Sequence, residues 1–302
     1  MIILLIILVR IAFISFVSGN VIKFIRIARA PQNLRWELYP IPGRAAGEPV
    51  SGKAARKVKE LSTIVKEVFT LSSVREGNPK LWAPSLFMHW AIYLLIAIIA
   101  INVACALLGA ADLAVPATSI LTTIAAPAGI IGAGWILFLR AFYIPLKNYS
   151  NRGHYFFATH LFAVFLAIGI FMITTGLEPS WAGAPKFSER LYEFIGATLG
   201  LSTYSQSYKF PEAENVFYFA VAATALFFLY LPATHMTHFF AKYFTYHQIR
   251  WDDEPASGKI KKRIARQLGY TVDWAAPHIA PDGKETWLAI ATKRESKEDN
   301  NL

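Results

Sequence analysis

L-W-A-P-S-L-F-M-H-W-A-I-Y-L-L-I-A-I-I-A-I-N-V-A-C-A-L-L-G-A-A, residues 81–111, runs for 31 positions without one Asp, Glu, Lys or Arg. A helix crosses the hydrocarbon core of a bilayer in roughly 20 residues, so this stretch predicts a membrane span over about 82–108. Working outward, residues 113–139, 153–177 and 215–241 are also free of those four residue types, and predict spans at about 115–139, 154–177 and 215–241. Pro116 and Pro127 are expected to start or kink the first of these. Residues 1–22 are apolar except for Arg10 and Asn20. A signal peptide places its positive charge first and ends at a small-residue cleavage site. Here the apolar run comes first, with Lys23, Arg26 and Arg29 after it, so we read a retained helix.

The expected fold is therefore all-α: an integral membrane five-helix bundle over 1–241 and a short polar tail over 242–302. The whole chain agrees, with 302 residues, 55% hydrophobic, 17% charged and a mean hydropathy of +0.38, against about 25% charged in typical globular chains. The net charge of +10 argues for basic membrane loops rather than for nucleic acid, because cytoplasmic loops accumulate Lys and Arg. Segment 23–80 holds 12 Lys/Arg against 5 Asp/Glu, and 140–152 holds 3 against none. In 178–214, by contrast, acidic residues outnumber basic ones 5 to 3. The positive-inside rule then puts the N-terminus outside and the C-terminus in the cytoplasm. Within the tail, Lys259 to Leu268 reads as a short helix and T-W-L-A-I-A-T, residues 286–292, as strand-like. So small a tail suits a docking surface better than a catalytic domain.

The single cysteine, Cys105, excludes an internal disulfide, a thiolate zinc site and an iron–sulfur cluster held by this chain alone. No phosphate-binding glycine loop and no nucleophile elbow occurs, so any chemistry has to come from within the membrane.

Of the seven histidines, His89, His160, His235 and His238 fall within the expected spans, while His154 opens the fourth at the interface, where it is expected to be solvated. Ionisable groups inside a bilayer are costly and point to function. With the expected topology His89 and His238 lie at similar depth, near the cytoplasmic side, on the second and fifth spans. Facing imidazoles at one depth are what bis-histidine haem requires, and a six-coordinate iron relays single electrons without changing geometry. The alternative for each is a neutral imidazole bonded to a carbonyl of a neighbouring helix. His160 stays open between haem ligand, quinone partner and packed core histidine. His235, three residues before His238, could donate to a propionate, hold a quinone or cap the helix. Arg140, closing the third span, suits a propionate, since a guanidinium matches a carboxylate. Arg10 sits nearer mid-membrane, where pairing with a partner subunit, lining a cavity, or snorkelling are the choices.

The histidine at the start of the second span in L-F-M-H, the Pro232 to His238 exit of the fifth, and the short tail resemble the gamma subunit family of respiratory nitrate reductase. These are membrane di-haem cytochromes b that pass electrons between quinone and iron–sulfur partners. The run H-F-F-A-K-Y-F-T-Y-H-Q-I-R-W-D-D-E-P, residues 238–255, with W-A-A-P-H-I and K-E-T-W, is similar to its DsrM branch, the membrane subunits of DsrMKJOP sulfur-metabolism complexes. The resemblance implies His89 and His238 as axial ligands of an inner haem b, with menaquinone or menaquinol as substrate. It also implies a cytoplasmic DsrK-like, heterodisulfide-reductase-type iron–sulfur partner, docked on the 23–80 loop and the tail, and further membrane and periplasmic subunits. Where the family carries the outer haem's ligands this chain has Ile99 and Ala220, so a second haem would depend on His160 and His235. The competing expectation is a haem-free membrane anchor or transporter subunit.

Overall fold

The computed structural model describes residues 1–29, 53–177, 186–204, 211–234, 262, 265–273 and 283–292. The long helices are α1 (Ile2–Arg29), α2 (Lys53–Thr70), α4 (Pro79–Leu108), α5 (Ala111–Phe142), α7 (Arg152–Leu177), α8 (Phe187–Leu199) and α9 (Pro211–Tyr230). The short ones are α3 (Ser72–Gly77), α6 (Ile144–Asn148) and α10 (Trp287–Thr292). Among the described residues there is no named strand. Helices α1, α4, α5, α7 and α9 are long and apolar enough to cross a membrane, so the chain is an all-α membrane protein.

The fifth of these, α9, ends its α-helical part at Tyr230 and continues as a 3-10 turn, Leu231–Ala233. Pro232 has no N–H for the ladder and its ring crowds the preceding turn. The remainder of the span expected at 215–241 lies outside the described residues from His235 on.

The chain forms two units, Met1–Gly19 with Lys59–Thr234, and Asn20–Val58 with His235–Leu302. In the first, α4 packs on α5, α5 on α7 and α7 on α9, while α8 lies against α4, α5 and α7. Antiparallel α4 and α5 meet through a two-residue turn in which Gly109 adopts φ 66°. The Ala110 N–H closes onto the Cys105 carbonyl at 2.9 Å, a Schellman-type ending that glycine tolerates without a Cβ penalty.

Water-driven burial does not hold helices together in lipid; close packing and interhelical hydrogen bonds do. A Cβ on Gly132 would come within 2.9 Å of the Met88 Cα, and one on Gly129 would enter the Phe165 ring. These two glycines bring α5 up to the backbone of α4 on one side and to an α7 aromatic on the other. Asn102 on α4 donates from Nδ2 to the Ile98 carbonyl at 2.8 Å and to Thr118 Oγ1 on α5 at 2.6 Å. Such a bond contributes about 0.6–2 kcal/mol to helix association.

The first part of α1 runs parallel to α9. Ser15 Oγ donates to the Leu229 carbonyl at 3.3 Å, Phe16 meets Phe228 edge-on at 5.1 Å, and a Cβ on Gly19 would stand 2.6 Å from Pro232 Cβ. Nearer the start of α1, Arg10 Nε donates to the Thr198 carbonyl at 2.9 Å, in the last turn of α8. A cation there meets the negative end of the α8 dipole, which accounts for a charge that the sequence left unexplained.

In the second unit, Thr271 and Thr286 form an isolated antiparallel bridge, and Val272 is buried beside it. The strand-like run 286–292 is helical instead: α10 begins at Trp287, and Thr286 Oγ1 accepts the Ala289 N–H at 3.3 Å. This N-cap prevails over the local preference of the alternating residues. Residues 265–268 are helical, within the helix expected over 259–268.

Candidate functional site

The first unit has two polar ends. One carries the turn at Gly109 and helix α8. The other carries residues 59–77 of α2 and α3, the basic Arg140–Asn151 connection through α6, and the exit of α9 at Pro232.

At the basic end, His89 lies ten residues into α4, about 15 Å along the axis at 1.5 Å per residue. His160 lies eight residues into α7, about 12 Å by the same rise. Both occupy the same half of the bundle as Arg140. Their local settings differ. The His89 Nδ1 lies 2.6 Å from the Ser85 carbonyl of its own helix. A carbonyl only accepts, so in the neutral ring Nδ1 carries the proton and the lone pair resides on Nε2. The ring meets Tyr93 edge-on at 6.1 Å. On the adjoining side of α4, the Met88 backbone against Gly132 closes the seam with α5.

His160 faces α9. Its Nε2 donates to the Ala223 carbonyl at 2.7 Å, and Phe156, Phe227 and Tyr230 surround the ring at 5.8, 6.0 and 5.4 Å. The opposite nitrogen, Nδ1, holds the lone pair. The Tyr230 hydroxyl is buried and has no hydrogen-bond partner among the described residues.

Arg140 donates from Nη1 to Ser150 Oγ at 2.9 Å, and its own carbonyl accepts from the Tyr155 hydroxyl at 2.6 Å. Its Nε is buried without a partner among the described residues. His235 and His238 lie outside the described residues, as do His247 and His278. No cluster of three or more His, Cys, Asp or Glu side chains able to hold a metal occurs among the described residues.

The opposite end holds a cluster that the charge pattern of 178–214 did not announce. The Arg190 side chain on α8 is 2% exposed and pairs through Nη2 with Glu214 Oε1 at the start of α9, and through Nη1 with Glu193 Oε2 at 3.0 Å. The guanidinium stacks 5.4 Å from the Tyr204 ring, and the Tyr204 hydroxyl donates to Glu214 Oε2 at 3.1 Å. Burial, followed by the neighbouring Glu214 carboxylate, pushes the Tyr204 phenol well above its ordinary range. Arg190 is held above its usual value; burial alone would lower it, but Tyr204, Glu214 and Glu193 outweigh that. The sequence signal for this helix was present: Phe187, Phe194 and Ile195 recur at helical spacing, with Arg190 on the same stripe. An arginine on an apolar stripe announces a buried partner, though not which one.

No family model, curated protein or solved structure matches this chain.

Proposed function

We propose that this chain is a membrane cytochrome b subunit of the nitrate reductase gamma type, of the DsrM branch. It would exchange electrons between menaquinone or menaquinol and a cytoplasmic DsrK-like iron–sulfur subunit of a respiratory sulfur-metabolism complex. Its basic end, with the 23–80 loop and the tail, faces the cytoplasm, and the N-terminus lies outside. The complex includes further membrane and periplasmic subunits.

One observation carries the reading: the hydrogen bond from His89 Nδ1 to the Ser85 carbonyl. Metal-ligating histidines donate their second ring N–H to a carbonyl or carboxylate, which fixes the tautomer and raises the basicity of the ligating nitrogen. His89 would offer Nε2 to a haem b as one axial ligand, and His238 the other. The buried, unpartnered Arg140 Nε and Tyr230 hydroxyl are donors of the kind that a propionate carboxylate would satisfy. A bound haem supplies one-electron chemistry; the residues of this chain hold it, fix the imidazole tautomer and exclude water. His160, whose Nε2 is engaged with Ala223, supports packing against α9 or contact with a quinone rather than Nε2 ligation.

The pyridine haemochrome and absorption spectra of the purified chain test this, and separate it from a haem-free anchor or transporter subunit. We expect a low-spin b-type signal that His89→Ala and His238→Ala each abolish, and that His160→Ala and His247→Ala leave in place. Full low-spin haem in both of the first two variants refutes the ligand pair. Absence of haem from the wild-type chain, isolated with its partners, refutes the class.

A further inference from the structure

Helix α2 carries apolar residues at positions 61, 65, 68 and 69, the spacing of one helix face, yet all four remain exposed. Leu61 is 62% and Val65 45% exposed, and Val68 and Phe69 are also exposed. The helix contains Lys53, Arg56, Lys57, Lys59 and Lys66 against Glu60 and Glu67. It is therefore both basic and amphipathic.

Its C-terminal end is anchored on α4. A helix leaves its last four carbonyls without intrahelical donors, and here all four are satisfied. Glu67 O accepts the Leu71 N–H at 2.9 Å, Val68 O the Tyr93 hydroxyl at 3.1 Å, Phe69 O the Trp90 indole at 3.1 Å, and Thr70 O the Trp82 indole at 2.7 Å. Helix carbonyls point along the axis toward the C-terminus. Three donors on the flank of α4 receive them, so α2 abuts α4 end-on instead of running alongside it. Leu71, in the left-handed region at φ 50° and buried, turns the chain into α3. The Glu67 carboxylate accepts from Ser72 Oγ and, at 2.9 Å, from the Ser73 N–H, which holds that corner.

Phe69 packs on Trp90 at 5.6 Å and on Tyr93 at 6.0 Å. Trp90 is exposed on the flank of α4, as are Phe87 and Ile96. The open apolar face of α2 thus continues the outward surface of a membrane-crossing helix, at the level of its Trp and Tyr residues, where aromatic belts mark the bilayer interface.

We infer that α2 lies in the membrane interface, its Leu61–Val65–Val68–Phe69 face inserted into the headgroup–acyl boundary and the exposed Lys66 on the side of the anionic lipid headgroups. A basic amphipathic helix is held at this depth by apolar burial together with attraction to acidic lipid. The inference requires only that α4 crosses the membrane and does not depend on haem.

The test uses the full chain with Cys105→Ser, carrying Leu61→Cys or Lys66→Cys labelled with a bimane fluorophore, in nanodiscs of phosphatidylcholine with phosphatidylglycerol. Nitroxide lipids should quench the probe at 61 several-fold more than aqueous iodide does, and the order should reverse at 66. Replacing phosphatidylglycerol by phosphatidylcholine should weaken the lipid quenching at 61. Equal iodide quenching at both positions overturns the inference, because α2 would then stand in water. Protection of position 61 from both quenchers overturns it as well, because its face would then be covered by protein.

Discussion

Glu214→Gln strips the charge from the principal partner of a guanidinium that is 2% exposed, while keeping side-chain volume and an oxygen to accept the Tyr204 hydroxyl. Removing one member of a buried ion pair costs about 3–5 kcal/mol, because the other charge remains in a poorly solvated place. Glu193 still touches Arg190, but it is 42% exposed, and such pairs contribute about 0–1 kcal/mol. The expected loss is therefore about 3 kcal/mol, the low end of the range for a broken buried pair. That corresponds to a shift of about a hundredfold in the unfolding equilibrium. Glu193→Gln should cost less than about 1 kcal/mol. The double variant Arg190→Met with Glu214→Leu should recover most of the loss, since apolar replacement of a whole buried pair is often neutral or stabilising. Unfolding of the detergent-solubilised chain, followed by tryptophan fluorescence during titration with sodium dodecyl sulfate, ranks the variants. If Glu214→Gln is no more destabilising than Glu193→Gln, then Arg190 is not held as argued, and the α8–α9 corner owes its stability to its aromatic packing alone.

Tyr204 gives a pH signature with a definite sign. Its phenol is raised in the folded chain by burial and by Glu214, whereas the unfolded chain ionises near the ordinary tyrosine value of about 10. Above that pH the unfolded state binds fewer protons, so stability falls as pH rises through and beyond 10. Tyr204→Phe should flatten that part of the decline in unfolding midpoint against pH, and an unchanged slope contradicts the burial argument. At the α4–α5 seam, Gly132→Ala brings a methyl against the Met88 main chain and should cost about 1–3 kcal/mol by overpacking. Gly77→Ala meets nothing within 4 Å and should be neutral or slightly stabilising. Equal unfolding midpoints for the two variants would show that α5 does not approach α4 as described.

Hydropathy is a property of consecutive residues, and it placed three of the five long apolar helices, α4, α5 and α7, within four residues of both ends. The second span, expected over 82–108, is α4 at Pro79–Leu108, and the fourth, expected over 154–177, is α7 at Arg152–Leu177. Counting charges alone likewise sets the basic stretches 23–80 and 140–152 apart from the apolar runs. Other features depend on which atoms meet across the fold. That His160 turns its Nε2 to α9, that Arg10 ends on the last turn of α8, and that Arg190 finds Glu214 are matters of packing between helices far apart in the chain. Hydrogen-bond partners cannot be read from one helix at a time. The run 286–292 shows the same division at short range: its residues favour a strand, and the Thr286 cap makes it a helix. Local composition determined where the chain crosses a membrane, because the bilayer selects on length and polarity. Tertiary structure decided which polar groups are satisfied and by whom, because each such group in a low-dielectric interior must find its partner in three dimensions.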